Sequence, residues 1–228
     1  MSVFGSKVAQ GEHVLCDIGS DITEILFFKD GLLKDIKILN AGGKNLTEAL
    51  ASELKMPFDL AEDLKRSYGL AADPSLINAD KEVLIKKENG YRAIKQKLIC
   101  EIVSAKTTVL CNLIKESIEK NCSPTQLNSF MVCGRSVLLE GFMESLEAVL
   151  GIPVKLARVN CQRFKDYVKT EEQLSGQKYL SYLTALGMIN RNFEKGELLE
   201  ATKESKEAAR SPISRAVEKI KEVYQEYF

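Results

Sequence analysis

Tryptophan is missing from this chain of 228 residues, and histidine occurs once, at His13. A single histidine outside any constellation leaves Ser–His nucleophilic chemistry and histidine-based metal binding without support. None of the six cysteines, at 16, 100, 111, 122, 133 and 161, pair as Cys-x-x-Cys, so a zinc site has no spacing to rest on. Most lie in apolar runs, the pattern of buried reduced thiols in a cytoplasmic protein. Neither charge is in excess, with 32 basic against 32 acidic residues, so no bulk field draws the chain to nucleic acid. No apolar run approaches the roughly 20 residues that span a bilayer. The opening MSVFGSKVAQGEH has no apolar signal core.

What is present is a soluble globular composition, 45% apolar and 28% charged, long enough for one large domain or two small ones. The organising stretch is residues 14–40, VLCDIGSDITEILFFKDGLLKDIKILN. It reads as strand, polar turn, strand, Asp30-Gly31 hairpin and third strand. Asp17 closes the first apolar run, and Gly19-Ser20-Asp21 is turn chemistry. A carboxylate at a strand end beside a Gly-containing turn brings one acid and several backbone amides together. Such a turn can cradle a phosphate while the acid holds Mg²⁺ or a water. An ordinary β-meander with Asp at a strand end carries the same signature, because short glycine motifs are weak.

Further along, Lys44 or Asn45 opens a helix with Leu46, Leu50 and Leu54 at four-residue spacing, which Pro57 ends. A second helix carries Leu60, Ala61 and Leu64 and stops at Gly69. After a loop, 83–85 is a short strand and 88–90 a turn. Residues 92–121 hold the longest apolar stripe of helical period, broad enough to lie against a sheet. Residues 127–133 form a strand feeding Gly134, followed by a helix to Gly151 and a strand at 153–156. That order is a crossover unit favouring a parallel pair. Residues 179–191 are a further apolar helix, and 193–211 read as a linker. In 212–228 the residues Ile213, Val217, Ile220, Tyr224 and Phe228 share one helical face. This is a membrane-surface anchor or a helix that docks on its own domain or on a partner. Glu218, Glu222 and Glu226 offset Arg215, Lys219 and Lys221, so anionic lipid would add little attraction.

Three patterns occur in order: DIGSDITEILFFKDG followed by an apolar strand and AGGKNLTEAL, then AEDLKRSYG, then MVCGRSVLLEGFMESLEAVLGIPV. Together they resemble the second half of actin-like ATPases, in particular the FtsA family of bacterial division proteins and its relative, the pilus-assembly protein PilM, over about residues 14–190. The resemblance implies an α/β actin-like (ribonuclease-H-like) half-fold with a small α-rich lobe and a C-terminal amphipathic helix. Residues 1–13 would be a lead-in, 14–56 and 122–192 the core, 57–121 the lobe, 193–211 the linker, and 212–228 the targeting or docking helix. It implies ATP and Mg²⁺ as cofactors. Asp17 would then sit near Mg²⁺ or the attacking water, with the backbone of Gly19 and Ser20 facing the phosphates. Glu62 and Lys65, three apart on one helix face, would contact ribose and adenine. Gly134 would let the backbone approach the nucleoside, and Ser136 would open the helix behind it.

The departures are specific. Ser20, Asp21 and Ile22 stand where the family commonly has further glycines and a threonine, and Asp21 adds negative charge beside a polyphosphate site. Arg135 stands where a second glycine is usual, and its long side chain could block adenine or stack on it. Nothing before residue 14 is long enough for the family's first half and its phosphate loop. The chain is therefore expected to present one wall of the site and to turn ATP over negligibly alone. The implied function is a division scaffold, cytoplasmic and peripheral on the inner face of the cell membrane. Its partners would be an FtsZ-like filament, the membrane surface and other copies in actin-like self-assembly. A PilM-like pilus or secretion adaptor with an inner-membrane partner, or a split ATPase needing a separate first half, are the alternatives.

Overall fold

Alternation of apolar and polar side chains builds the first two strands. β1 (Glu12–Ile18) buries Val14, Cys16 and Ile18, and β2 (Thr23–Lys29) buries Thr23, Ile25 and Phe27. The antiparallel register pairs Val14 with Phe27, Cys16 with Ile25 and Ile18 with Thr23. All six therefore share one face of the sheet. Asp30 and Gly31 turn the chain with positive φ, 50° and 78°, into β3 (Leu32–Leu39), which pairs antiparallel with β2 and carries a bulge opposite Phe27/Phe28. The computed structural model describes residues 10–73, 75, 81–87 and 90–157.

Two helices follow, α1 (Gly43–Leu54) and α2 (Phe58–Tyr68), the second ending at Gly69 as its sequence predicts. A two-stranded hairpin, β4 (Glu82–Lys87) and β5 (Gly90–Lys95), leads into α3 (Gln96–Glu119). Then come β6 (Ser129–Cys133), α4 (Phe142–Leu150) and β7 (Val154–Leu156). β6 lies parallel to β1, and β7 lies parallel to β6, so the main sheet runs β3-β2-β1-β6-β7. This is the expected crossover unit, with α4 as its helix.

Several boundaries differ from the sequence reading. The helical stripe expected from residue 92 starts at Gln96, because 90–95 pair with β4. Ile94 sits opposite Val83, and both are buried; over so short a run, strand and helix periods place the same apolar residues alike. β1 starts at Glu12 rather than residue 14, and β6 at Ser129 rather than 127. α1 opens at Gly43, ahead of Lys44 and Asn45. A single 3₁₀ turn, Ser136–Leu138, precedes α4.

α3 lies between α1 and α4 and touches both. Its Ile99, Val103, Leu110, Ile114 and Ile118 join Leu46 and Leu50 of α1, Phe142 and Leu146 of α4 and the inner sheet face in one buried core. Arg92 of β5 donates from Nη1 to the carbonyl of Leu54 at 2.8 Å, satisfying a C-terminal acceptor of α1. The described residues fall in one compact unit, Val3–Leu183. The expected helices at 179–191 and 212–228 and the linker at 193–211 lie outside the described residues. Among the described residues no helix is long and apolar enough to cross a membrane.

Candidate functional site

The turn from β1 to β2 closes on itself, the Gly19 N–H donating to Ile22 O at 3.0 Å. Its carbonyls are taken from outside. Gly19 O accepts from Ser136 Oγ (2.7 Å) and from the Gly43 N–H (3.0 Å), and Ser20 O accepts from the Lys44 N–H (2.9 Å). The first amides of α1, which an isolated helix leaves unpaired, are thus tied to the turn. The contact requires glycine: a Cβ on Gly42 would lie 2.5 Å from Ser20 O, and one on Gly43 would lie 2.4 Å from Ser136 Oγ. The Gly42 N–H in turn donates to Asn45 Oδ1 at 2.8 Å, which fixes the entry to the helix.

Gly134 meets the same turn from the neighbouring strand. The parallel register of β1 and β6 sets Asp17 opposite Cys133, so Gly134 follows directly beside the end of β1. Its φ is +92°, and a Cβ there would fall 2.4 Å from Ile18 O and 2.6 Å from Asp17 Oδ1. Burial pushes the Asp17 carboxyl above its ordinary range, against a hydrogen bond from Cys133 that favours the anion. Burial also pushes the Cys133 thiol well up, with the Asp17 charge adding to it. Arg135 is exposed and leads into the 3₁₀ turn that carries Ser136.

The third group comes from α2. Lys65 is only 8% exposed, and its ammonium donates to Gly43 O (3.0 Å), Thr47 Oγ1 (2.7 Å) and Glu62 Oε2 (2.6 Å). Those three bonds use the full donor capacity of a lysine. Thr47 donates to the same Glu62 oxygen at 2.5 Å. Burial alone would raise the Glu62 carboxyl, but its bonds from Lys65 and Thr47, with the charges of Lys65 and Arg66, hold it below the usual range. Nearby, Lys44 and Asp21 form an exposed ion pair at 3.1 Å, so the charge on Asp21 is partly offset.

Residues 17–20, 62–65 and 134–136 therefore meet around the start of α1. Reading the sequence picked out those three groups but missed the hub that joins them: Gly42, Gly43 and Thr47. The signal was in AGGKNLTEAL, where two glycines abut a helix start and a threonine follows one turn later. Among the described residues no cluster of three or more His, Cys, Asp or Glu could hold a metal ion by itself; Asp17 is one carboxylate at the site. Ile213, Val217, Ile220, Tyr224 and Phe228 lie outside the described residues.

A family model described as "Cell division protein FtsA" matches residues 14–187. Among curated relatives, the FtsA of Neisseria meningitidis serogroup B is 28% identical over 142 residues, 61% of this chain and 34% of that protein. The FtsA of Streptococcus pneumoniae serotype 2 is 25% identical over 205 residues, 86% of this chain and 44% of that protein. The chain thus spans less than half the length of these relatives. Among solved structures, MreB 5 of Spiroplasma citri bound to AMPPNP superposes with a TM-score of 0.58 at 16% identity, over 82% of this chain and 56% of that one. A PilM–PilN type IV pilus biogenesis complex matches with a TM-score of 0.53 at 19% identity, over 79% of this chain and 46% of that one. At such identities these two establish the fold, an α/β actin-like half-fold.

Proposed function

This chain belongs to the cell division protein FtsA family, and from that premise we propose that it is the nucleotide-binding half of an actin-like division scaffold. One observation carries the reading: the turn after β1 and Lys65 each bond directly to the start of α1, and Ser136 bonds to Gly19 O of that same turn, so the three groups meet at one place. The Gly19 N–H is engaged with Ile22 O, which leaves the next amides, of Ser20 and Asp21, as the turn's donors toward a phosphate. Asp17 is a single carboxylate, the arrangement that suits Mg²⁺ completed by phosphate oxygens and water. Gly134, with no side chain, lets β6 close against the end of β1 and so brings the 134–136 backbone beside Asp17 and the turn, where a nucleoside would lie. Glu62, aimed by Lys65 and Thr47, is the acceptor for ribose hydroxyls, while Lys65 acts through Glu62 and the start of α1. Exposed Arg135 is free to stack on a base. When bound, ATP with Mg²⁺ would supply a phosphate whose loss could switch the scaffold between two states. The described residues line one side of such a cleft, so ATP turnover by this chain alone is expected to be negligible.

Binding of a fluorescent ATP analogue, followed by anisotropy with and without Mg²⁺, tests this. Asp17→Ala should weaken the Mg²⁺-dependent binding by about tenfold or more, a loss of roughly 1.4 kcal/mol, and leave Mg²⁺-free binding unchanged. Equal Mg²⁺-dependent affinity in both proteins refutes the site.

The second half of the proposal is attachment to the inner face of the cell membrane through 212–228, joining a division filament to it. Its support is the apolar face of Ile213, Val217, Ile220, Tyr224 and Phe228. In vesicle co-sedimentation the double variant Val217→Glu/Ile220→Glu should lose membrane partition, and an unchanged partition ends the anchor reading. The pilus-adaptor reading has 212–228 docked on its own domain instead; a wild-type chain that ignores vesicles favours it.

A further inference from the structure

Among the described residues β3 is the edge of the five-stranded sheet, and its rim is apolar: Leu32, Ile36 and Ile38 are 62%, 47% and 59% exposed. One backbone donor on that rim is capped locally. The Ile36 N–H donates to Asp35 Oδ1 at 2.9 Å, while Asp35 Oδ2 accepts from Lys37 Nζ at 2.7 Å. An N–H that reaches a side chain, not β2, points away from the sheet. Outward-pointing residues alternate along an antiparallel strand, so Ile38 points outward with Ile36, while Asp35 and Lys37 turn their backbone groups toward β2. A strand edge that no other described strand pairs with is a template for another strand.

We propose that two copies of this chain join edge to edge through β3, antiparallel about a two-fold axis at Ile36, giving one continuous sheet of five strands from each copy. The charges select both the occupant and the register. In an antiparallel ladder an outward residue must face an outward residue, so the axis passes through a residue and not between two; centred on the strand past the bulge, the choices are Asp35, Ile36 and Lys37. An axis at Asp35 opposes two carboxylates, and one at Lys37 opposes two ammonium groups; directly opposed like charges destabilise. An axis at Ile36 sets Asp35 across from the partner's Lys37 and Lys37 across from the partner's Asp35. It also stacks Ile36 on the partner's Ile36 and lays Ile38 along the partner's Lys34. The Ile36 N–H exchanges its Asp35 cap for the carbonyl of the partner's Ile36. The bulge opposite Phe27/Phe28 bounds the ladder at its far end and keeps it short. This pairing is independent of any ligand at the strand ends.

Sedimentation velocity of the full chain over a concentration series is the test. The wild type should show a concentration-dependent dimer. Ile36→Pro removes the outward N–H without touching the β2 ladder and should abolish that dimer while keeping the wild-type circular dichroism. The charge variants test register with surface changes that leave the fold intact. D35K alone opposes lysines, K37D alone opposes aspartates, and each should weaken the dimer on the order of tenfold or more. Mixed together they present lysines against aspartates, and dimer should return. A wild type that stays monomeric to its solubility limit overturns the proposal, as does a dimer that D35K and K37D each leave intact.

Discussion

Asp17 is held in a place that does not suit it when it stands alone. Its raised carboxyl pKa, caused by burial at the end of β1, means the fold binds a proton there that the unfolded chain would release. Between the ordinary aspartate value near ~4 and the raised folded value, the folded state carries more protons, so stability falls as pH rises through that window. Asp17→Asn removes the term. The variant should melt at a higher temperature than wild type at pH 7, and the difference should shrink as pH drops toward ~4, as followed by thermal circular dichroism. A variant less stable than wild type at neutral pH would contradict this. A position that costs stability and sits where three segments meet is the signature of a functional carboxylate. The sequence made Asp17 legible, since an acid ending an apolar run before a glycine turn is a local pattern. Cys133 was not legible as its neighbour, because the β1–β6 register that joins them spans more than a hundred residues.

At the scale of elements, α1 and α2 are fastened by Lys65. Replacing it with methionine keeps the stem but takes the ammonium donor from three acceptors, leaving the charged Glu62 with Thr47 as its hydrogen-bond donor. Lys65→Met should lower stability in urea by about 2–4 kcal/mol, and adding Glu62→Gln should recover part of the loss. The pH dependence has the opposite sign from that of Asp17. Glu62 is held below its ordinary value of 4.5, so its contribution is full above that value and is lost as pH falls through the lower folded one. Glu62→Gln should flatten that acid limb, and an unchanged limb would locate the acid sensitivity elsewhere. Most elements here could be read ahead: the β1–β2–β3 meander from alternation and Asp30-Gly31, and α2 from Pro57 and Gly69. β5 could not, because Tyr91-Arg92-Ala93-Ile94 fits either period and only pairing with Val83 and Ile85 decides. The hub at Gly42–Thr47 was also hidden, since a glycine pair before a helix predicts a start but not which carbonyls it will press against.

For the whole molecule, the sheet's inner face and the helices α1, α3 and α4 share one core, and the cysteines report on it. Cys16, Cys111 and Cys133 are buried, while Cys122 lies half-buried just past α3. Burial pushes the Cys111 thiol up to about 12, so at pH 8 about one molecule in ten thousand carries the reactive thiolate. Cys16 and Cys133 are raised as well, by burial first. Among the cysteines of the described residues, alkylation mapped by mass spectrometry should mark Cys122 first. Cys16, Cys111 and Cys133 should then react together at the rate of global unfolding. If Cys111 is modified alongside Cys122, α3 opens independently and the single core is wrong. What sequence could not supply at this scale is the order β3-β2-β1-β6-β7, which depends on which strand finds β1 from a distance.

The ties at the two ends of α1 have a mechanical corollary. One end is pinned to the β1–β2 turn through Gly19 and Ser20, and the other is gripped by Arg92 of the hairpin. A helix of twelve residues, about 18 Å long, is stiff along its axis and behaves as a pushrod between those two grips. The turn therefore bears on one end of that shaft and the hairpin on the other, while Leu46, Leu50 and Leu54 along its length are set in the core.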